Sequence, residues 1–214
     1  QAGFESAHVL EQDVVEVALP FLTSVPEAIA SFGQGCEGEP LLQADVIAEA
    51  IRRIRTATDR GTLNCNTNGS LPGRVEQIAR AGLDSIRISL NSALGPTYTA
   101  YYQPRYYRWE DVRESVRRSK ALGLYTTINY LVFPGVTDRE EELEELLDLI
   151  RETGLDMIQM RNLSMDPELY LQTVPPARGK CVGIRKVLQT IRREFPQVEI
   201  GYFNRPKELF DTRL

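Results

Sequence analysis

The sequence is poor in the side chains that most often do chemistry near neutral pH. It has one histidine, His8, in a polar N-terminal stretch where a solvated ring is expected. Zinc sites and histidine-based acid–base catalysis therefore have little to build on. Cysteine is nearly as scarce. Cys36, Cys65 and Cys181 form an odd, widely spaced set, which is no disulfide framework and points to a reducing, cytoplasmic setting. No apolar run approaches the roughly 18 residues needed to span a bilayer, and no signal-peptide pattern opens the chain. An excess of basic charge is missing too. Lys plus Arg is 25 against 30 for Asp plus Glu, a formal charge of −5, so neither nucleic acid nor a membrane is an expected partner. Methionine is absent from the first position, which is Gln1, so natural chain upstream of it is expected.

What is present suits a single α/β domain over residues 1–214. Hydrophobic residues make up 42%, enough for a sizeable core. Val14, Val15, Val17, Ala18, Phe21 and Leu22 suit a short buried helix over 12–22, and "AIASFGQ" (28–34) a short buried strand. Residues 41–58 form an amphipathic helix with Val46, Ile47, Ala50, Ile51 and Ile54 on one face and Pro40 in its first turn. Strands follow at 62–66, 85–91, 126–133, 156–163 and 198–203. Helices alternate with them at 72–81, 109–122, 138–153 and 180–195, three closed by Gly82, Gly123 and Gly154. Thr137 and Glu140 have capping-box spacing, and the glutamates of 140–145 read as a solvated face. Such alternation implies parallel strands with helical crossovers, in a barrel, a partial barrel or an open doubly wound sheet. The strands should neighbour one another in sequence order.

In parallel α/β architectures chemistry collects at the C-terminal ends of the strands. Those ends carry Glu37, Gly38 and Glu39; then Asn66, Thr67, Asn68, Gly69 and Ser70; then Ser89, Asn91 and Ser92; then Asn129; then Arg161, Asn162 and Ser164. The set can hydrogen-bond a polar ligand bearing an ammonium and a sugar, and it lacks an obvious nucleophile–base pair. Taken singly, "GCEGEP" (35–40) is either a tight turn or a holder of positive charge, and "NTNG" (66–69) is good turn chemistry. One polar cluster per strand end is the functional signal, with Glu39, Asn68, Ser89 and Asn129 expected on one concave rim.

The segments "GEP" (38–40), "NTNG" (66–69), "SIRISLNS" (85–92) and "INYLVFPGVTD" (128–138) occur in the order and spacing of a known family. Over residues 28 to 165 the chain resembles the core of a radical S-adenosylmethionine (SAM) enzyme. The resemblance implies a partial (β/α)6, TIM-like barrel that binds SAM and a [4Fe–4S] cluster. Reduction of SAM there releases a 5′-deoxyadenosyl radical, which abstracts hydrogen from substrate. It also implies a reductant partner such as a flavodoxin or ferredoxin, and a small-molecule or peptide substrate. By the same resemblance Gly38 and Glu39 meet the methionine ammonium, Ser89 and Asn91 face the ribose, Asn66, Asn68 and Asn129 line the adjacent rim, and Leu131 backs the adenine.

Two departures stand out. Glu37 sits where the family commonly has glycine. The CxxxCxxC cluster loop is absent, and Cys36, Cys65 and Cys181 cannot make it. The first strand and the cluster ligands are therefore expected upstream of Gln1, with no metal ligand in this chain, and without that loop the chain should not run the radical chemistry. "SALGPTYTAYYQPRYYRWED" (92–111) is a long aromatic-rich insertion, either a lid or substrate wall or rings packed onto the rim. Tyr101, Arg105 and Arg161 are the candidate substrate contacts. Two rival readings use the same rim: a parallel-barrel lyase or isomerase acting through Glu37 and Glu39, and a non-catalytic scaffold binding a nucleotide or a protein. Cys36 and Cys65, each three residues before its strand-end motif, are expected level on neighbouring strands as reduced, buried thiols.

Overall fold

In the computed structural model the described residues are 10–33, 38–201 and 203–212. They build six parallel strands with helices between them. The strands are β1 (Ile29–Phe32), β2 (Thr62–Thr67), β3 (Ser85–Leu90), β4 (Tyr125–Val132), β5 (Met157–Asn162) and β6 (Glu199–Gly201). They lie side by side in sequence order, every pair parallel, as right-handed crossovers between neighbours require. The sheet is not closed, so the fold is a partial, TIM-barrel-like α/β arrangement.

The helices are α1 (Glu11–Ser24), α2 (Ala44–Ala57), α3 (Pro72–Arg80), α4 (Gly95–Tyr102), α5 (Trp109–Ala121), α6 (Glu140–Thr153), α7 (Pro167–Thr173) and α8 (Ile184–Glu194). In the outer layer α1 packs on α2, α2 on α3, α3 on α5 and α5 on α6. The glycines end helices as expected: Gly154 caps α6 with φ +65°, a left-handed conformation that glycine adopts without a Cβ penalty.

Four expectations are corrected. The helix at 12–22 is a half-exposed surface helix: Leu22 is buried, but Val17 is 78% exposed. β1 lies at one edge of the sheet, and its residues are half-buried rather than buried. Pro40 opens a separate 3-10 turn, Pro40–Gln43, capped by the Glu39 side chain, and α2 starts only at Ala44. Thr137 makes no capping box, because its hydroxyl accepts from the Phe133 amide (2.8 Å) and α6 begins at Glu140. The helices α4 and α7 were not anticipated; both fall in loops whose apolar pattern is too short to show a helical period.

The sheet has two unlike faces. Toward the helices point Leu63 and Cys65, Ile86, Ile88 and Leu90, Ile128 and Tyr130, and Ile158, all part of the main core. Because side chains alternate along a strand, the other face carries Asn64 and Asn66, Ser85, Arg87 and Ser89, Thr127 and Asn129, and Gln159 and Arg161. Hydrogen bonds across that face confirm it: Ser85 donates to Asn64 (2.9 Å), Asn64 to Asn66 (2.9 Å), Arg87 to Gln159 (3.1 Å) and Arg161 to Asn129 (3.2 Å). Parallel sheets are normally covered by apolar side chains on both faces. A polar inner face means a lumen that holds polar material.

The segment after β6 closes the lower end of this lumen. The Lys207 amide donates to Thr62 at the start of β2 (2.7 Å), Phe210 stacks on Tyr125 at the start of β4 (4.4 Å between ring centroids), and Arg205 pairs with Glu199. The lumen therefore opens at the C-terminal ends of the strands.

Candidate functional site at the C-terminal rim

Two adjoining cavities occupy the open end. The first, about 310 Å³, is lined by Gly33, Gly38, Glu39, Asn66, Thr67, Asn68, Arg87, Ser89 and Asn129. The second, about 320 Å³, is lined by Ser89, Leu90, Asn91, Tyr101, Tyr102, Asn129, Leu131, Arg161, Asn162, Leu163 and Ser164. Ser89 and Asn129 belong to both, so the two form one elongated trough. Each half alone matches the lower end of small-molecule sites.

The first half is built by close approach of two strand ends. Asn66 donates to the Gly33 carbonyl at 2.8 Å, and a Cβ at Gly33 would meet the Asn66 carbonyl at 2.3 Å, so only glycine fits there. Glu39 then ties the turn after β1 to the end of β2. Its Oε1 accepts from the Leu41 amide (3.0 Å) and the Thr67 hydroxyl, and its Oε2 from the Asn68 amide (2.8 Å). Each carboxylate oxygen can accept two hydrogen bonds, so Oε2 keeps one lone pair that these contacts do not use. Glu39 thus holds two strand ends together, a structural role that counts against the lyase or isomerase reading. Glu37 and Cys36 lie outside the described residues, as does His8. Asn68 holds its own turn by accepting from the Ser70 amide (2.8 Å).

The second half is held by a carboxylate that the sequence did not reveal. Glu142, in the glutamate run of α6, is 1% exposed rather than solvated. It accepts from the Ser92 hydroxyl (2.5 Å), the Ala93 amide (2.6 Å) and the Tyr130 hydroxyl. Its position beside Leu143 and Leu146 on the inner stripe of the helix is the physical reason. Burial raises its carboxyl above the ordinary value, and the hydrogen bonds from Ser92 and Tyr130 act against that rise. Glu142 thereby fixes the chain just after β3. Asn91, the residue before Ser92, is 3% exposed, and its Oδ1 has no hydrogen-bond partner. A buried amide oxygen left unpaired is costly, and this one belongs to a residue lining the trough.

All eight expected cofactor contacts line the trough: Gly38, Glu39, Asn66, Asn68, Ser89, Asn91, Asn129 and Leu131. Of the three expected substrate contacts, Tyr101 and Arg161 line its second half, whereas Arg105 is exposed and lines neither cavity. The aromatic insertion divides. Tyr98 and Trp109 are core residues, Tyr106 is 95% exposed, and Tyr101 and Tyr102 alone face the trough. Sequence reasoning missed Thr67 as the Glu39 partner and Arg87 as a wall of the trough. Alternation in "SIRISLN" already put Arg87 on the face of Ser89 and Asn91, and a charge at an inward strand position was the available signal.

Among the described residues no group of three or more His, Cys, Asp or Glu is placed to hold a metal ion. Cys65 is free and buried on the helix side of the sheet, with its thiol pushed up by burial and by Glu39. Phe32 of β1 is level with it, and the expectation for Cys36 falls outside the described residues. Cys181 is free and exposed. These residues do not fit an iron–sulfur cluster.

A family model described as the radical SAM superfamily matches residues 30–150. The chain belongs to that superfamily. Its members bind SAM and a [4Fe–4S] cluster. Bovine (Bos taurus) molybdenum cofactor biosynthesis protein 1 is 26% identical over 164 residues, 76% of this chain and 24% of that protein. Pre-heme d1 synthase of Dinoroseobacter shibae is 29% identical over 126 residues, 59% of this chain and 30% of its own length. The chain thus spans about a quarter to a third of the curated relatives it matches. Among solved structures, Streptococcus suis SuiB bound to SAM superposes with a TM-score of 0.60 at 13% identity, over 96% of this chain and 46% of that one. At that identity the likeness is one of fold. Among the described residues no helix is long and apolar enough to cross a membrane.

Proposed function

We propose that this chain is a single-domain SAM-binding core of a radical SAM enzyme, with SAM lying along the trough from Glu39 to Leu131. The observation that supports this most is the buried, unpartnered Asn91 Oδ1 in a trough whose other polar groups suit a nucleoside and an amino-acid moiety. Bound SAM supplies, in this superfamily, the 5′-deoxyadenosyl radical used to take hydrogen from a substrate.

The residues of this chain bind and orient. The free lone pair of Glu39 Oε2 takes the methionine ammonium in a charge-assisted hydrogen bond. Ser89 and Asn129, shared by both halves, sit at the middle of the trough beside the sugar, and Asn91 Oδ1 accepts a ribose hydroxyl. Leu131 is buried in a small apolar cluster with Val136, Tyr170 and Val174, which gives the adenine a dry wall and excludes water from the second half. Tyr101, packed edge-on against Tyr102 at 4.9 Å, closes the side. Cluster ligands are not among these residues, so catalysis needs a ligand set from outside the described residues.

The test is calorimetric titration of SAM into the protein under anaerobic conditions. The wild type should bind at micromolar concentration, and Ser89→Ala with Asn129→Ala should weaken binding by about tenfold or more, two lost hydrogen bonds at about 1 kcal/mol each. Equal affinity in the double variant would remove the trough from the SAM site.

A further inference from the structure

We infer that the floor of the lumen, beneath the trough, binds an anionic group of the substrate, a carboxylate or a phosphate, with the Arg87 guanidinium as its counter-charge. That this group belongs to the substrate rests on the proposed function; the anion site rests on the residues that build it.

Arg87 lies on the inner face of β3, two residues before Ser89, which places it about 7 Å deeper than the rim. It reaches the floor of the first cavity. Its Nη1 donates to Gln159 Oε1 at 3.1 Å and to Asn204 Oδ1 at 3.2 Å, both neutral amides. Its Nε is buried without a hydrogen-bond partner. Among the described residues no carboxylate forms an ion pair with it. Two described carboxylates on this side of the sheet are engaged elsewhere: Glu39 with Leu41, Thr67 and Asn68, and Glu199 with Arg205 and Tyr125. Arg161 brings a second guanidinium to the same amide oxygen, Gln159 Oε1, at 3.2 Å.

Burial first, and Arg161 second, lower the pKa of Arg87. An arginine nevertheless remains protonated in a protein. Evolution commonly pairs a buried charge or puts it to use. Here the guanidinium lines a cavity, and its rigid fork matches the two oxygens of a carboxylate or phosphate. Gln159, fully buried, and Asn204 hold the fork in place from below. Because residues 203–212 close the lower end, an anion enters from the rim and lies below Ser89 and Asn129. That depth favours a substrate group over the carboxylate of SAM, whose contacts lie along the rim.

The experiment titrates inorganic phosphate into the full chain by calorimetry, with and without saturating SAM, for wild type, Arg87→Met and Arg87→Lys. Wild type should bind phosphate in both conditions. Arg87→Met should bind it at least about tenfold more weakly, since a charge-assisted pair is lost, and Arg87→Lys should fall between. SAM affinity is measured alongside, and Arg87→Met should lose far less of it than of its phosphate affinity, because the rim residues are intact. Equal phosphate affinity in wild type and Arg87→Met overturns the proposal. So does phosphate binding abolished by SAM together with a large loss of SAM affinity in Arg87→Met, which would assign Arg87 to the cofactor carboxylate. The SAM-free titration decides the anion site even if wild type binds no SAM, so failure of the site and failure of the proposed function are read separately. Should Arg87→Met not fold, Gln159→Leu keeps the charge but removes the amide that orients it, and phosphate affinity should fall several-fold.

Discussion

The two ends of the sheet solve the same problem in opposite ways. At the N-terminal end two strand-start acids each have a counter-charge. Asp84, just before β3, accepts from the Leu63 amide (2.6 Å) and pairs with Arg55 of α2, which also donates to the Gly61 and Gly82 carbonyls. Asp156, just before β5, repeats the device: it accepts from the Thr126 amide (2.7 Å) and pairs with Lys120 of α5 at 2.8 Å. In both, an acid at the start of one strand takes an amide of the preceding strand and a base from the helix that leads into that preceding strand. The C-terminal end has Glu39 and Glu142 bound to amides and hydroxyls, an unpaired Asn91 oxygen, and Arg87 on neutral partners. One end pairs its acids with bases and locks the fold. The other leaves polar groups for a ligand to complete.

Removing a clamp should therefore cost stability without touching binding. Asp84→Ala leaves Arg55 without its counter-charge and the buried Leu63 amide without this acceptor, which should lower unfolding free energy by about 2–3 kcal/mol. Urea denaturation reads this as a fall in the midpoint with unchanged slope. SAM affinity of the folded protein should be unaltered. A weakened affinity would mean that the two ends are coupled and the contrast false.

Glu142→Ala should blur the contrast, because Glu142 is the structural carboxylate of the ligand end. It leaves the Ala93 amide and the Tyr130 hydroxyl without their acceptor, at about 2 kcal/mol of stability. It should also weaken SAM binding several-fold, since Ser92 and Ala93 follow Asn91 directly. Asn91→Leu should do the reverse. It removes an unsatisfied buried oxygen, so stability should change by less than about 1 kcal/mol in either direction, while SAM binding weakens by about tenfold. Paired denaturation and calorimetry on the two variants separate holding the site from being the site.

A smaller effect is expected in pH. Burial raises the folded-state pKa of Glu142 above its ordinary value of 4.5. A raised carboxyl binds its proton more tightly in the folded state, so its contribution is fully present below about 4.5 and is lost as pH rises through the folded value. Glu142→Gln mimics the protonated form. Wild type should therefore lose stability relative to Glu142→Gln as pH is raised from 4.5 toward neutrality, by about 1 kcal/mol for each unit of pKa shift. Asp84, also raised by burial, is common to both proteins and cancels in the difference.

The inner face explains which parts were legible from sequence. Strand order and helix positions followed from apolar periodicity and glycine stops, because both reflect a short-range pattern. The rim residues followed because strand ends can be counted. Glu142 was hidden: five glutamates in six positions look like a solvated face, and only the register of α6 against Tyr130 and Ser92 turns one of them inward. Arg87 could be placed on the inner face by alternation, but its neutral partners Gln159 and Asn204 lie far along the chain and could not be read. The clamps at Asp84 and Asp156 need the same long-range information. Local pattern carried the scaffold, and long-range partners decided which charged groups matter.

Arg105 gives the smallest expected effect and the cleanest control. It lies in the aromatic insertion beside Tyr106, which is 95% exposed, and the two cavities of the trough do not include it. Tyr101 of the same insertion does line the trough and stands 5.6 Å from Tyr170. The insertion thus has a buried half that shapes the site and a solvent half that does not. Arg105→Ala should change stability by less than about 0.5 kcal/mol, the usual range for a surface substitution away from any cap, core or network, and should leave SAM and phosphate affinities unchanged. Tyr101→Ala should weaken SAM binding measurably in the same calorimeter. If Arg105→Ala weakens either ligand as much as Tyr101→Ala does, the solvent half folds over the trough when the ligand is bound, and the division of the insertion drawn here is wrong.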